Sequence, residues 1–235
     1  QDNIEISRNT VFNIISALSP TGIYCYNVNN CTISKNNVHD VIYNSTASPY
    51  AGRGIDIELP DGTLNTINLN ISNNFVSHIA GIGGGTFLWD FPCGLCITET
   101  SGGGGITSGI NIYYNSINLS ADVTYGMNNS KYSCALGIGD NITGGINLKN
   151  NILRNKLGCR TGQTTGNSIA VYYDRNGGTT PFVTSDYNIY YADASSGSNF
   201  VGYVYGTGYP NLASGSPHWD DYTYYAKGAQ DLNSL

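Results

Sequence analysis

Apolar residues flank an asparagine at a fixed spacing along much of the chain. In "CTISKNNVHD", Ile33 lies three residues before Asn36, and Val38 lies two residues after it. The pattern recurs in "ISRNTV", "ISNNFV", "IYYNSI" and "LKNNIL", and more weakly in "SDYNIY". The motif asparagines are Asn9, Asn36, Asn74, Asn115, Asn151 and Asn188. Their spacings of 27, 38, 41, 36 and 37 residues indicate a repeated structural unit with insertions of variable length.

Apolar and polar residues alternate around each copy of the motif. Segments such as "IDIEL", "GINIYY" and "GINLKNNIL" have period two, β-branched residues and flanking glycines, which predicts strands. The long 3.6-residue periodicity that helical repeats require is absent from the sequence. Each period also contains an earlier strand, often led by a small residue. These earlier strands are predicted at residues 22–28, 54–59, 94–98, 135–139, 168–173 and 200–205.

One period therefore consists of a strand, a loop, a second strand, an asparagine turn and a short third strand. A coil of short strands buries only one face by itself, whereas stacked coils share an apolar interior and pair their strands in parallel. Asparagine tolerates the left-handed αL conformation at a tight corner and bonds local backbone. Stacked asparagines can also share amide hydrogen bonds along the axis. We therefore predict that the six motif asparagines form a ladder.

The chain resembles right-handed parallel β-helix proteins of the pectin-lyase-like type over most of residues 3–235. Two segments, "TSDYNIYYADASSGSNFVGYVYGTGYPNLA" and the closing "DLNSL", are similar in sequence to repeats of large secreted proteins of Bacteroidota-type bacteria. The resemblance implies an all-β, right-handed parallel β-helix of about six coils with long loops. We expect residues 1–235 to form a single domain, with residues 206–235 as a cap or a link to a following module.

Composition narrows the choice of partners. Charged residues make up 11% of the chain, against about 25% in an average soluble domain, so the surface is polar but mostly uncharged. This favours an extracellular protein with neutral partners such as sugars. A net charge of −6 with 10 Lys+Arg argues against nucleic acid and anionic membranes. Glycines and Asp90 interrupt the longest apolar stretch, so no membrane span is expected.

Six cysteines, an even number, favour disulfides and an oxidising compartment. A zinc site at "CGLC" is an alternative, but it would need a second close pair, and Cys134 and Cys159 are 25 residues apart. Cys93 and Cys134 each stand two residues before the first inward residue of adjacent coils. We therefore predict a disulfide between them. The remaining predicted pairs are Cys25–Cys31 and Cys96–Cys159.

Asp56, Glu58 and Arg53 form a compact charged group on one predicted strand. Alternation places both carboxylates outward, beside Tyr24 and Tyr26 of the preceding coil. The resemblance implies a lyase in which acidic residues, often with Ca²⁺, act beside a basic residue that abstracts a proton, whereas glycoside hydrolases need paired carboxylates. These three residues are the catalytic candidates if the chain is an enzyme. A Ca²⁺ ion bound by Asp56 and Glu58 without chemistry is a further hypothesis, as is an ordinary solvated strand face.

The nineteen tyrosines, many in pairs, raise the hypothesis of a glycan-binding face. Outward tyrosines can stack on sugar rings while their hydroxyls bond sugar hydroxyls, although tyrosine is also common on exposed strands. The candidates are Tyr24, Tyr26 and Tyr172. His39 and His78 follow asparagine turns and are expected to cover the coil surface, so that with His218 they form no triad.

The sequence thus predicts a secreted or cell-surface module that is structural or adhesive and not catalytic. Its expected partners are extracellular glycans or copies of itself, which could stack through the exposed strand edges at the coil ends. A polysaccharide lyase or glycoside hydrolase is the alternative. No nucleotide, haem or flavin is expected, and Ca²⁺ is the cofactor that the alternative would use.

Overall fold

A computed structural model describes residues 3–46, 50–60, 66–84, 88–99, 108–139, 142, 145–174, 183–204, 207–209 and 224–225. Its strands form three sheets, named A, B and C, and the chain passes through each sheet repeatedly. Sheet A contains β1 (Ile4–Ser7), β4 (Asn30–Ser34), β7 (Thr66–Ser72), β10 (Ser108–Tyr113), β13 (Ile146–Lys149) and β16 (Val183–Asp186). Sheet B contains β2 (Thr10–Ser16), β5 (Asn37–Tyr43), β8 (Phe75–Ala80), β11 (Ser116–Leu119), β14 (Ile152–Asn155), β17 (Ile189–Ala192) and β20 (Tyr224–Tyr225). Sheet C contains β3 (Thr21–Tyr26), β6 (Arg53–Leu59), β9 (Cys93–Glu99), β12 (Tyr132–Ile138), β15 (Asn167–Tyr173), β18 (Ser198–Val204) and β19 (Thr207–Tyr209).

The three sheets are parallel and together build a β-solenoid. Each strand pairs with the corresponding strand of the coil before and after it, as β4 does with β1 and β7. An antiparallel pair joins β18 to β19. The described residues also contain two single-turn 3-10 helices, Leu88–Asp90 and Val123–Tyr125, and no helix there is long and apolar enough to cross a bilayer. The predicted all-β parallel solenoid is therefore confirmed. Most of the predicted cap or link, residues 206–235, lies outside the described residues.

Alternation fills the interior as the sequence predicts. Each predicted earlier strand overlaps a strand of sheet C, and Ile55, Ile57 and their equivalents are buried in one continuous core. Sheets C and B are in close contact where the strands of sheet C begin. Only small residues fit there, which explains why glycine is found near the start of these strands. A Cβ on Gly54 would lie 2.4 Å from Val76 Cγ1 and 2.5 Å from the Gly94 oxygen. Glycine is therefore required there by packing.

The alternation is interrupted in sheet C, where Ala135 and Leu136 of β12 and, in the same way, Ala170 and Val171 of β15 are consecutive core residues. The sequence predicts Ile169 inside and Ala170 outside, but Ala170 packs in the solenoid core, and Ile169 is buried in a separate cluster on the outer side. Ala170 and Val171 both belong to the core, so two consecutive residues point inward and the simple period of two is interrupted.

The asparagine ladder is confirmed. Each amide nitrogen donates to the side-chain oxygen of the next motif asparagine, at 2.9–3.0 Å, from Asn9 through to Asn188. That oxygen also accepts the backbone N–H of the preceding motif asparagine. The second N–H of Asn115 donates to the backbone oxygens of Ile71 and Tyr113, so its buried amide is fully hydrogen-bonded. We call this row the inner ladder.

The backbone of the corner differs from the prediction. The residue before each ladder asparagine, and not the asparagine, has a positive φ of 53° to 59°. The reason is geometric, because the asparagine must point into the stack while its predecessor turns the chain and projects outward. We call these exposed predecessors the corner ridge. Its members are Arg8, Lys35, Asn73, Tyr114, Asn150 and Tyr187.

Candidate functional site

The predicted charged group lies on the outer side of sheet C. Tyr24 pairs in register with Asp56, and Tyr26 pairs with Glu58, so the predicted neighbours are confirmed. On the other side of β6, Arg53 pairs with Cys93, and Asp56 pairs with Cys96. The carboxylates therefore stand between a strand that carries tyrosines and a strand that carries thiols.

Asp56 is withdrawn from solvent. Its side chain is 2% exposed and its Oδ2 accepts a hydrogen bond from Arg53 Nη1 at 2.5 Å, while the Arg53 side chain is 12% exposed. Asp56 Oδ1 and Arg53 Nε have no hydrogen-bond partner among the described residues. A base or nucleophile must reach its substrate, so this geometry makes Arg53 and Asp56 a buried ion pair and not an exposed catalytic pair.

Glu58 and Tyr24 form the accessible part of the group. Partial burial, the charge of Glu58 and a hydrogen bond donated to Glu58 together raise the pKa of Tyr24 to about 12. Tyr24 and Tyr26 are 54% and 59% exposed, with ring centroids 6.5 Å apart and planes tilted by 36°. The two rings are available to a ligand but are not coplanar.

A Ca²⁺ ion would find few ligands here. Asp56 and Glu58 supply two carboxylates, but the Arg53 cation beside Asp56 would repel a second cation. Within the described ranges, no group of three or more His, Cys, Asp or Glu side chains is placed to hold a metal. The residues therefore fit an ion pair better than a Ca²⁺ site.

The third tyrosine candidate is buried. Tyr172 is 6% exposed and packs edge-on against Phe91 at 5.0 Å. Leu88 and Phe91 come from the connection between β8 and β9 and lie over the outer side of sheet C. The hypothesis that Tyr172 belongs to a glycan-binding face is therefore wrong, because a loop covers its strand. Leu88, Phe91 and the outward residues beneath them are called the covered cluster. Its other members are Cys93, Cys96, Cys134, Ile169 and Tyr172.

Three thiols meet in the covered cluster. Cys93 and Cys134 are register partners, and their sulfur atoms are 3.3 Å apart. Burial raises the pKa of Cys93, and a hydrogen bond to Cys93 together with burial raises the pKa of Cys96. Cys93 and Cys96 are therefore protonated and unreactive at neutral pH while the cluster stays closed.

All six cysteines are free in this structure, so the three disulfides remain predictions. The neighbours expected for Cys93–Cys134 are in place. The side chains of Cys25 and Cys31 are close enough to share a hydrogen bond. Cys96 lies in the covered cluster, whereas the Cys159 sulfur accepts the N–H of Gly166. The first two pairs are thus better supported than Cys96–Cys159.

A histidine cluster on sheet B was missed by the sequence analysis. Asp40 lies between two histidines, with its Oδ2 at 2.6 Å from His39 Nδ1 and its Oδ1 at 3.3 Å from His78 Nδ1. Phe12 stacks on the His39 ring at 5.4 Å. Asp40 and His78 both have positive φ, which marks a bulge repeated in neighbouring coils. Their common offset of four residues from Asn36 and Asn74 was the available signal. His218 lies outside the described residues.

Comparison of the chain with protein families, with curated proteins and with solved structures found no match.

Proposed function

We propose that this chain is a non-catalytic structural and adhesive module of a secreted or surface-attached protein. The observation that carries the proposal is the burial of Asp56 in its ion pair with Arg53. Glycoside hydrolases need two carboxylates on either side of the scissile bond, and a lyase needs an exposed base. Burial of Asp56 leaves Glu58 as the single accessible carboxylate of the predicted group. This geometry disfavours the polysaccharide lyase or hydrolase.

The extracellular location is supported by composition and by resemblance. A surface with few charges suits neutral partners, and six cysteines in one chain suit an oxidising compartment. The solenoid and its inner ladder agree with the resemblance to the pectin-lyase-like type. Origin in a large secreted protein of Bacteroidota type belongs to this proposal as well.

Two kinds of partner fit an adhesive module, extracellular glycans and copies of the chain itself. Extracellular glycans are favoured by exposed tyrosine rings, which the described residues carry in two places, at Tyr24 and Tyr26 on β3 and at Tyr114 and Tyr187 after β10 and β16. Copies of the chain are favoured by exposed apolar side chains near the first strands, since β1, β2 and β3 are the end strands of their sheets among the described residues. These side chains are Phe12, Ile15 and Leu18. Exposed strand edges with apolar neighbours are natural sites of end-to-end association.

A cleavage assay tests the central claim. Purified protein is incubated with soluble polygalacturonate, alginate and xylan, with Ca²⁺ and with chelator, and the chain ends released are measured. We expect no release above that of a Glu58→Gln variant. Release by the native chain that is lost in Glu58→Gln would establish an enzyme and overturn the proposal.

Assembly is tested separately by electron microscopy of unreduced protein over a dilution series. Filaments that persist on dilution would make self-association the main role. Isolated rods would leave glycans as the partner to be tested.

A further inference from the structure

A second row of amides runs along the outer face of sheet A. Asn111 donates to the side-chain oxygen of Asn70 at 3.0 Å, and Asn147 donates to that of Asn111 at 2.9 Å. Asn70 in turn donates to Asn68, which donates to Asn30. We call these five residues the outer amide row. Asn68, Asn111 and Asn147 donate toward the preceding coil, opposite to the direction of the inner ladder, whereas Asn70 donates to Asn68 within its own strand β7.

The outer amide row keeps hydrogen-bonding groups for a ligand. An asparagine side chain has two N–H donors and two acceptor sites on its oxygen. Each amide of this row donates one N–H to another asparagine, which for Asn30 is Asn3, and the second N–H has no protein acceptor among the described residues. Between neighbouring strands the row holds these groups at the strand spacing of about 4.8 Å, and within β7 it shifts by two residues from Asn68 to Asn70. Donors fixed in advance lose little entropy when a ligand binds.

The surroundings of the outer amide row are uncharged in the middle of the sheet. Thr32, Ser34 and Ser72 share the outer face with it, and Tyr113 donates its hydroxyl to the Asn111 oxygen at 3.0 Å. A neutral, hydroxyl-rich ligand matches the middle strands β4, β7 and β10, whereas the charged side chains Glu5, Lys35 and Lys149 lie on the flanking strands and at the corner.

The corner ridge beside sheet A supplies aromatic rings. Tyr114 and Tyr187 are exposed, with φ of 57° and 53°, and they follow β10 and β16 directly. They lie two coils apart, so about 10 Å separates them along the axis at ordinary strand spacing. Neither ring stacks on another aromatic ring within the described ranges.

Tyrosine is an unfavourable choice at these corners. A bulky residue with positive φ is an outlier, and asparagine occupies the same ridge position in the intervening coil, at Asn150. The corner requires the positive φ in every coil but does not require tyrosine, so tyrosine at two of the corners points to function. Exposed tyrosine rings can stack on the C–H faces of sugar rings while amides bond the sugar hydroxyls.

We propose that the outer amide row and the tyrosines of the corner ridge together bind an extended, neutral polysaccharide that lies along the solenoid axis. The inference rests on the adhesive function proposed above and places the glycan on sheet A instead of beside Tyr24 and Tyr26. The repeat of amides along the axis recognises a repeating chain and not a single sugar.

A sedimentation assay tests the inference with cellulose and chitin powders as neutral probes and soluble polygalacturonate as the anionic probe. The test variant is the double substitution Tyr114→Asn with Tyr187→Asn, which copies the residue already present at position 150. The matched control is Tyr24→Asn with Tyr26→Asn, which removes two exposed tyrosines from sheet C. Thermal unfolding checks that both variants are folded.

We expect the native chain and the control to bind a neutral powder equally, with little dependence on salt, and the test variant to bind at least tenfold more weakly. The inference is overturned if the native chain binds neither powder, if the test variant binds like the native chain, or if the control loses binding. Preference for polygalacturonate with strong salt dependence would also overturn it. Soluble sugar released in the same samples would instead count against the non-catalytic function, so the two failures are distinguishable.

Discussion

Outward residues of sheet C have two different environments. On β3, Tyr24 and Tyr26 are more than half exposed, whereas on β9, β12 and β15 the outward residues are buried beneath Leu88 and Phe91. The backbone pairing is continuous from one region to the other. The strand pattern therefore determines which side of the sheet a residue faces, while a connection elsewhere in the chain determines whether that side is exposed to solvent.

The Arg53–Asp56 ion pair marks the boundary between the two regions. Asp56 has Tyr24 as its register partner on one side and Cys96 on the other. The charges of Arg53 and Asp56 therefore lie next to the exposed region but are themselves buried. Substitutions at this boundary are expected to reduce stability more than substitutions in either region.

The largest effect is expected for Asp56→Ala. The substitution leaves the Arg53 cation buried without its carboxylate, which costs about 3–5 kcal/mol of the free energy of unfolding. Urea unfolding measures the loss. The control is Glu58→Ala, which removes a partly exposed carboxylate two residues away and should change stability by roughly 0.5 kcal/mol. Equal losses in both variants would contradict the difference between buried and exposed carboxylates.

A smaller loss is expected for Phe91→Ala. Its ring fills the covered cluster against Tyr132 and Tyr172, so truncation leaves a cavity and costs about 3 kcal/mol. Opening of the cluster should also make Cys93 and Cys134 react with a thiol reagent in the folded protein, which can be followed by mass spectrometry. Tyr26→Ala in the exposed region should leave both stability and thiol reactivity nearly unchanged. Thiols that react at the same rate in all three proteins would show that the cover does not protect them.

Oxidation tests the contact between Cys93 and Cys134 within the covered cluster. Because the closed cluster shields these thiols, we expect oxidation during refolding of the reduced chain to link Cys93 to Cys134, whose sulfurs are adjacent across paired strands, and to raise stability by about 2 kcal/mol. Peptide mapping of the unreduced protein identifies the bond. In Cys134→Ser, Cys93 should remain free or pair with Cys96. A native protein that links Cys93 to Cys96 in preference would contradict the prediction.

The smallest effect concerns the exposed region. Because the pKa of Tyr24 is raised to about 12, the folded protein keeps this proton at a pH where the unfolded chain, with an ordinary pKa near 10, has lost it. The contribution of Tyr24 to stability is therefore complete below pH 10 and is lost as the pH rises toward 12. Nuclear magnetic resonance of ring-labelled tyrosine, with Tyr24→Phe for assignment, measures the pKa. Glu58→Gln should lower it, since the carboxylate is one of the causes of the shift.

The sequence predicted the fold well because its signals are local and repeated. Alternating apolar residues give the strands, and Asn36 and its equivalents give the register of the stack. The pairing of Tyr24 with Asp56 followed from that register alone. Each of these predictions needs only the assumption that neighbouring coils are alike.

The candidate site was predicted less well because it depends on residues that break the repeat. Phe91 lies in the connection between β8 and β9, outside the repeated strands, and nothing in its own segment shows that it covers Tyr172. Ala170 was misplaced because Ala170 and Val171, two consecutive residues in the middle of β15, both point inward. The αL residue at each corner was misassigned by one position, since the sequence shows that a turn is present but not which residue has the positive φ.

The inner ladder keeps the same geometry whatever the length of the connections between successive coils. Its amide hydrogen bonds remain at 2.9–3.0 Å whether 27 or 41 residues separate successive asparagines. The fold thus has a strict internal register and permissive exterior loops, because long surface insertions cost little in chain entropy. Such a scaffold can gain, lose or exchange peripheral segments one coil at a time. The covered cluster, formed by one such segment, is an example of a new buried environment acquired without any change to the axis of the solenoid.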